Sequence, residues 1–253
     1  MKIEEYLKSL PGGIVSGEDV TLPEKPLREM LKLAELGSED VFYHLGCNNE
    51  VGVSMALQEF NVKKAVGIDK NCQKIEDAKK NIKKCDRPGM FLCEDVIESD
   101  ISDATVVLFW FTNEDIIHAM MKKFQNLTHG AKVLTVWGPL PECLPSKVKF
   151  PYVLNKVPFK KASSLKEQLL AVFGVKCVDF VTAWEFAERY TKSITSSQVQ
   201  NDRFLTIIQT LMIWINAKNL GVACEDDVPE SIKTYISIMR EHFNIDFGHL
   251  LKE

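Results

Sequence analysis

The residues able to do chemistry gather where short apolar runs end. The first run, DVFYHLG (Asp40 to Gly46), continues as HLGCNNEVG, a tight turn leading into a helix start. Gly46 can take the backbone angles such a turn demands, and a helix N-terminus offers free N–H donors to an anion. The second run, KAVGID (Lys64 to Asp69), stops on an acid. Asp69 lies roughly twenty residues beyond Gly46, the interval at which nucleoside-binding sheets place the carboxylate that holds a ribose diol. The third, MFLCED (Met90 to Asp95), ends on Glu94 and Asp95, which can accept a hydrogen bond from an exocyclic adenine amine. A fourth, TVVLFWF (Thr105 to Phe111), runs into Trp110, Phe111, Thr112 and Asn113. Open α/β sheets bind ligands beyond the carboxyl ends of their strands, so three polar endings on consecutive strands point to a nucleoside site.

Each of these residues also has a structural reading. Asp69 can cap its strand, and Asp95 can cap a turn or a helix. His44 is either a half-buried strand residue or a contact to the ligand. One of Trp110 and Phe111 must face a helix layer as core, and alternation alone leaves open which. The seven cysteines are scattered without a CxxC pair, and neither they nor the five histidines show the clustering a metal site needs. An odd, dispersed set reads as reduced thiols of inert core residues, with Cys47 the one near the predicted chemistry.

These endings need a scaffold, and the hydrophobic pattern supplies one. Helical spacing is expected from Leu27 to Ala34, Val51 to Phe60, Ile75 to Ile82 and Asp115 to Phe124, alternating with strands at Val41–Leu45, Ala65–Ile68, Met90–Cys93, Val106–Phe111 and Lys132–Val136. That alternation implies an α/β fold, a doubly wound, mostly parallel Rossmann-like sheet with right-handed crossovers. Beyond Pro139, PYVLNKVPF reads as a strand, Leu165 to Phe173 as a helix and CVDFVTAW as another strand. Two apolar stripes follow, one through Phe204, Leu211 and Trp214, the other through Ile232, Met239 and Phe243. The expected organisation is an entry segment and helix (1–38), a sheet domain (39–190) and a helical C-terminal extension packed on it (191–253).

Composition narrows the class. Apolar residues at 45% and charged residues at 26% suit a globular protein with a real core. A formal net charge of -4 and a pI near 5.8 argue against a nucleic-acid partner. The basic group Lys156, Lys160 and Lys161 reads as a solvated face. No apolar stretch approaches the ~18 residues of a membrane helix. The start, MKIEEYLKSLPGG, carries acids where a signal peptide needs an apolar run. The expectation is a cytoplasmic protein of undetermined oligomeric state.

The stretch EDVFYHLGCNNEVGVSMALQEFNVKKAVGIDKNCQKIEDAKKNI resembles the first two motifs of class I (seven-strand, Rossmann-like) S-adenosylmethionine-dependent methyltransferases, and FLCEDVIESDISDATVVLFWF resembles the next two. Within that class it is most similar to the archaeal and eukaryotic protein-lysine methyltransferases without a SET domain, which place a Pro-containing entry segment (here TLPEKP, Thr21 to Pro26) and one helix ahead of the glycine turn. The likeness spans roughly residues 20 to 140. It implies S-adenosylmethionine as cofactor and a protein or small-molecule methyl acceptor. Gly46, Cys47 and Asn48 would line its methionine part, with His44 and Phe111 alongside. Asp69 would hold the ribose, and Asp95, with Glu94 close by, the adenine amine. Trp110, Thr112 and Asn113 would form the acceptor mouth. No side chain is assigned as catalytic, because methyl transfer chiefly needs reactants held in line in a dry pocket.

The chain departs from the pattern at three positions. His44 stands where the family has an acid, and Asn48 and Glu50 stand where it has further glycines. Asparagine is the non-glycine residue that best tolerates left-handed angles. The Glu50 carboxylate would face the carboxylate of the cofactor unless it points away, so weaker binding than in relatives with a full glycine turn is expected. The rival readings are a small-molecule or RNA methyltransferase, and a binding or scaffold protein that kept the fold and lost the cofactor.

Overall fold

In the computed structural model the apolar runs become strands; the structure describes residues 22–82, 89–111, 113–136, 138–194 and 203–251. These residues fall into two compact units, one within Gly17–Ser163 and the other within Ser164–Glu253. The division precedes the boundary at residue 190 set from the sequence. Leu169, Val178 and Ala183 share a core with Leu211, Trp214 and Ile236, so they group with the helical tail.

The first unit opens with α1 (Glu24–Leu33) and alternates β1 (Val41–Leu45), α2 (Val51–Gln58), β2 (Lys64–Asp69), α3 (Cys72–Ile82), β3 (Met90–Cys93), β4 (Val106–Phe109), α4 (Glu114–Gln125) and β5 (Lys132–Val136). Short strands β6 (Cys143–Leu144), β7 (Lys147–Lys149), β8 (Tyr152–Lys156) and β9 (Lys160–Lys161) follow. Seven strands form one sheet in the order β3-β2-β1-β4-β5-β8-β7. The first five are parallel, while β8 runs antiparallel to both β5 and β7. β6 and β9 make a separate antiparallel pair, in which Lys160 and Lys161 are exposed.

Both faces of the sheet are covered, which is why β1 and β4 read as unbroken apolar runs. Tyr43, Leu45, Ile68, Val107 and Phe109 pack with Met120 and Phe124 of α4. Phe42, His44 and Leu108 alternate to the opposite face. There Leu27 of α1 and Gly52 of α2 approach them. β4 stops at Phe109, two residues before the predicted end. Phe109 pairs with Leu45, the last residue of β1, and beyond it β1 has turned away at Gly46.

The second unit holds α5 (Leu165–Phe173), α6 (Phe180–Ile194), α7 (Arg203–Asn219), α8 (Glu230–Phe243) and a short 3-10 turn (Gly248–Leu250) around the fully buried Trp214. The segment CVDFVTAW, expected as a strand, starts a helix instead. Asp179 caps it, accepting from Thr182 N at 2.7 Å, and a capped start overrides the β-branched look of the run. The cysteines correct a second expectation. Cys72–Cys93 and Cys177–Cys224 are disulfides, while Cys47 and Cys143 are buried. Among the described residues no helix is long and apolar enough to cross a membrane.

Candidate cofactor site

The strand order reverses between β1 and β4, β1 passing on to β2 on one side and pairing with β4 on the other. A crevice opens at such a switch point. Its walls are Leu22 and Leu27, His44, Gly46 and Cys47, and Trp110.

The glycine turn closes tightly on β2. Gly46 sits at φ +68, and a Cβ there would lie 3.0 Å from the Phe111 ring. Gly46 N and Cys47 N both donate to Ile68 O, at 2.8 and 3.1 Å. Asn48 adopts φ +61, so the asparagine keeps the left-handed geometry of the glycine it replaces. Two side chains fix it there. Asn48 N donates to Asp69 Oδ2 at 3.0 Å, and Lys74 Nζ donates to Asn48 Oδ1. Asn49 Oδ1 accepts from Val51 N at 3.0 Å, bracing the entry to α2. Glu50 does not point at the crevice. Its carboxylate accepts from Asn81 Nδ2 of α3 at 3.2 Å, which removes the charge conflict expected from the sequence.

His44 is 6% exposed, and its Nδ1 has no hydrogen-bond partner among the described residues. The ring fills the space a side chain at 52 would take, since a Cβ on Gly52 would lie 2.4 Å from His44 Nδ1. Burial pushes the imidazole down to about 4, so it is neutral at physiological pH. Cys47 is inert for a similar reason. Burial first, and then the Asp69 charge, push its thiol up to about 12. Its sulfur packs 2.9 Å from where a Gly67 Cβ would stand.

Asp69, at the end of β2, is half-buried and organises two turns at once, because Oδ1 also accepts from Asn71 N at 2.9 Å. Glu94 and Asp95 are exposed beyond β3. Glu94 N donates to Asp69 O at 3.2 Å, and Asp95 Oδ1 accepts from Ile97 N at 2.9 Å, so the turn-cap reading of Asp95 is realised. Lys123 of α4 steadies this turn through Ser99 O (2.6 Å) and Val96 O (3.4 Å).

Beyond β4 the two aromatics separate. Phe111 stacks on Phe109, ring centroids 4.9 Å apart, and covers Gly46. Trp110 lines the crevice. Asn113 caps α4, accepting from Ile116 N at 3.1 Å. Thr112 lies outside the described residues. Sequence reasoning missed Leu22, Leu27, Gly52 and Lys74 as parts of the site. The TLPEKP segment contains the first, and no local pattern marks the others as site residues.

No family model matches the chain. A protein-lysine N-methyltransferase of Saccharolobus islandicus (strain REY15A) is 40% identical over 120 residues, 46% of this chain and 73% of that protein. An RNA methyltransferase from Salinibacter ruber, solved in complex with S-adenosyl-L-homocysteine, is 25% identical with a TM-score of 0.51, covering 58% of this chain and 99% of that one. With this identity over most of the relative's length, and a seven-strand sheet carrying a glycine turn and acids at the ends of β2 and β3, the chain belongs to the class I S-adenosylmethionine-dependent methyltransferases, in one family with the Saccharolobus enzyme.

Proposed function

We propose that the chain transfers a methyl group from S-adenosylmethionine to the side-chain amine of a lysine in a protein. The observation that carries this reading is the site built at the ends of β1 to β4: a glycine turn braced by Asp69, facing a crevice closed by Trp110, Leu22 and Leu27. The name of the 40%-identical relative supports lysine as the acceptor.

The residues fit the cofactor. The missing side chain at Gly46 leaves room for the Phe111 ring, 3.0 Å from where a Cβ would stand, so the turn can sit tight on Phe111 with its backbone toward the ligand. Asp69 would hold the ribose hydroxyls with lone pairs left over after its two N–H bonds, and Asp95, with Glu94 beside it, would meet the adenine amine. Gly46, Cys47, Asn48 and the neutral His44 would line the methionine part, with Phe111 holding the turn from behind. When bound, the cofactor supplies an electrophilic methyl group on a sulfonium. The chain's own residues supply placement and dryness. Trp110, Leu22 and Leu27 exclude water, and their apolar walls favour the neutral amine over the ammonium. Trp110, Thr112 and Asn113 would border the acceptor's entrance. No general base is required once the amine is neutral, because lone pair and methyl need only be held in line.

Labelled S-adenosylmethionine, offered with the full chain to a denatured protein mixture, tests the reading. Label should enter proteins, be lost when their lysines are first blocked by acetylation, and stay out of RNA and small amines. Labelled RNA, or label unaffected by blocking, overturns lysine as the acceptor.

A further inference from the structure

We propose that the Cys72–Cys93 disulfide is a thiol-exchange site whose redox state sets the affinity of the cofactor site, with a dithiol as its co-reactant. The inference rests on the assignment of Asp69 and Asp95 to the nucleoside made above.

The bond sits between those two acids. Cys93 is the last residue of β3 and stands in register with Asp69, the last residue of β2. Cys72 is the first residue of α3, directly after Asn71, whose N–H donates to Asp69 Oδ1. The two Cα atoms are 5.0 Å apart. The disulfide therefore ties the turn after β2, carrying the ribose acid, to the turn after β3, carrying Glu94 and Asp95. Past the last ladder pair these turns also share the bond from Glu94 N to Asp69 O. Lys70, Asn71 and Cys72 of one turn and Glu94 and Asp95 of the other are exposed, so a covalent tie between the turns pre-orders the nucleoside's contacts. The pair is also reachable. Cys72 is exposed and Cys93 partly so, whereas Cys47 and Cys143 are buried.

The chemistry balances as ordinary exchange. A thiolate of the dithiol attacks the exposed Cys72 sulfur, and the sulfur–sulfur bond breaks with Cys93 leaving as thiolate. The second thiol of the reductant then attacks the mixed disulfide, releasing Cys72 and closing the reductant into its own disulfide. Two electrons pass to the protein, and the two protons of the dithiol end on Cys72 and Cys93. The departing Cys72 thiolate is stabilised at the N-terminus of α3.

Calorimetric titration of the full chain with S-adenosylhomocysteine, oxidised and then reduced with dithiothreitol, tests this. Thiol alkylation and mass spectrometry confirm the state of each pair. Reduction should weaken binding about tenfold, the scale of losing pre-ordered contacts, and reoxidation should restore it. Cys72→Ser should bind like the reduced protein in either condition. Cys177→Ser, in the other unit, should keep the full response. Equal affinity in both states, or an unchanged response in Cys72→Ser, overturns the proposal. If the redox response is seen but Asp69→Ala binds as well as wild type, the residue assignments fail and the clamp acts elsewhere. If neither state binds, both readings fall.

Discussion

Removing the Asp69 carboxylate separates its two tasks. In the protein it accepts one N–H from each neighbouring turn, Asn48 N at 3.0 Å and Asn71 N at 2.9 Å. The site is half-exposed, so water can take over both donors in Asp69→Ala, and the stability loss should be about 1 kcal/mol or less. Bound nucleoside has no such substitute. A hydrogen bond to a charged group is worth about 1–3 kcal/mol when its partner is removed, so the variant should bind S-adenosylhomocysteine roughly 5- to 150-fold more weakly. Asp69→Asn should also lose affinity, because its amide turns a donor toward one of the two backbone N–H groups. Calorimetric titration reads the affinity, and a thermal melt shows that the variant is folded. Affinity within twofold of wild type in a folded Asp69→Ala protein would refute the reasoning.

Three further outcomes follow from the packing. Gly52→Ala places a methyl 2.4 Å from the His44 ring, which is too buried to yield, and should cost about 1–3 kcal/mol in a denaturant titration. His44 has a folded pKa near 4 against an ordinary value of 6.5, so above about pH 6.5 it costs nothing, while below it the unfolded chain gains a proton that the folded chain refuses. Stability should therefore fall by about 3 kcal/mol between pH 6.5 and 4, and His44→Leu should flatten that part of the profile. Asn155 in β8 is fully buried, with neither amide atom bonded among the described residues, so Asn155→Leu should raise stability by about 1–2 kcal/mol in the same titration.

Much of the sheet was legible because strands buried on both faces announce themselves as apolar runs; β1 and β5 begin and end where those runs do. The acids were legible because strand ends are where such sheets bind. What failed was information that lives in space. The overlong reading of β4 came from Trp110 and Phe111, apolar residues that turn out to have no ladder partner once β1 bends at Gly46. Cys72 and Cys93 look unrelated in sequence and meet because β2 and β3 pair in register. Cys177 and Cys224 meet because Val178 bridges Ala223. Glu50 looked like a hindrance, and only the position of Asn81 on α3 shows where its charge goes.

A crystal structure of the full chain with S-adenosylhomocysteine tests the central claim most directly. The nucleoside should lie across the ends of β1, β2 and β3, its ribose hydroxyls within about 3 Å of the Asp69 carboxylate, with its sulfur toward Trp110. A nucleoside bound anywhere else, or in this crevice with Asp69 out of hydrogen-bond reach, would contradict the account.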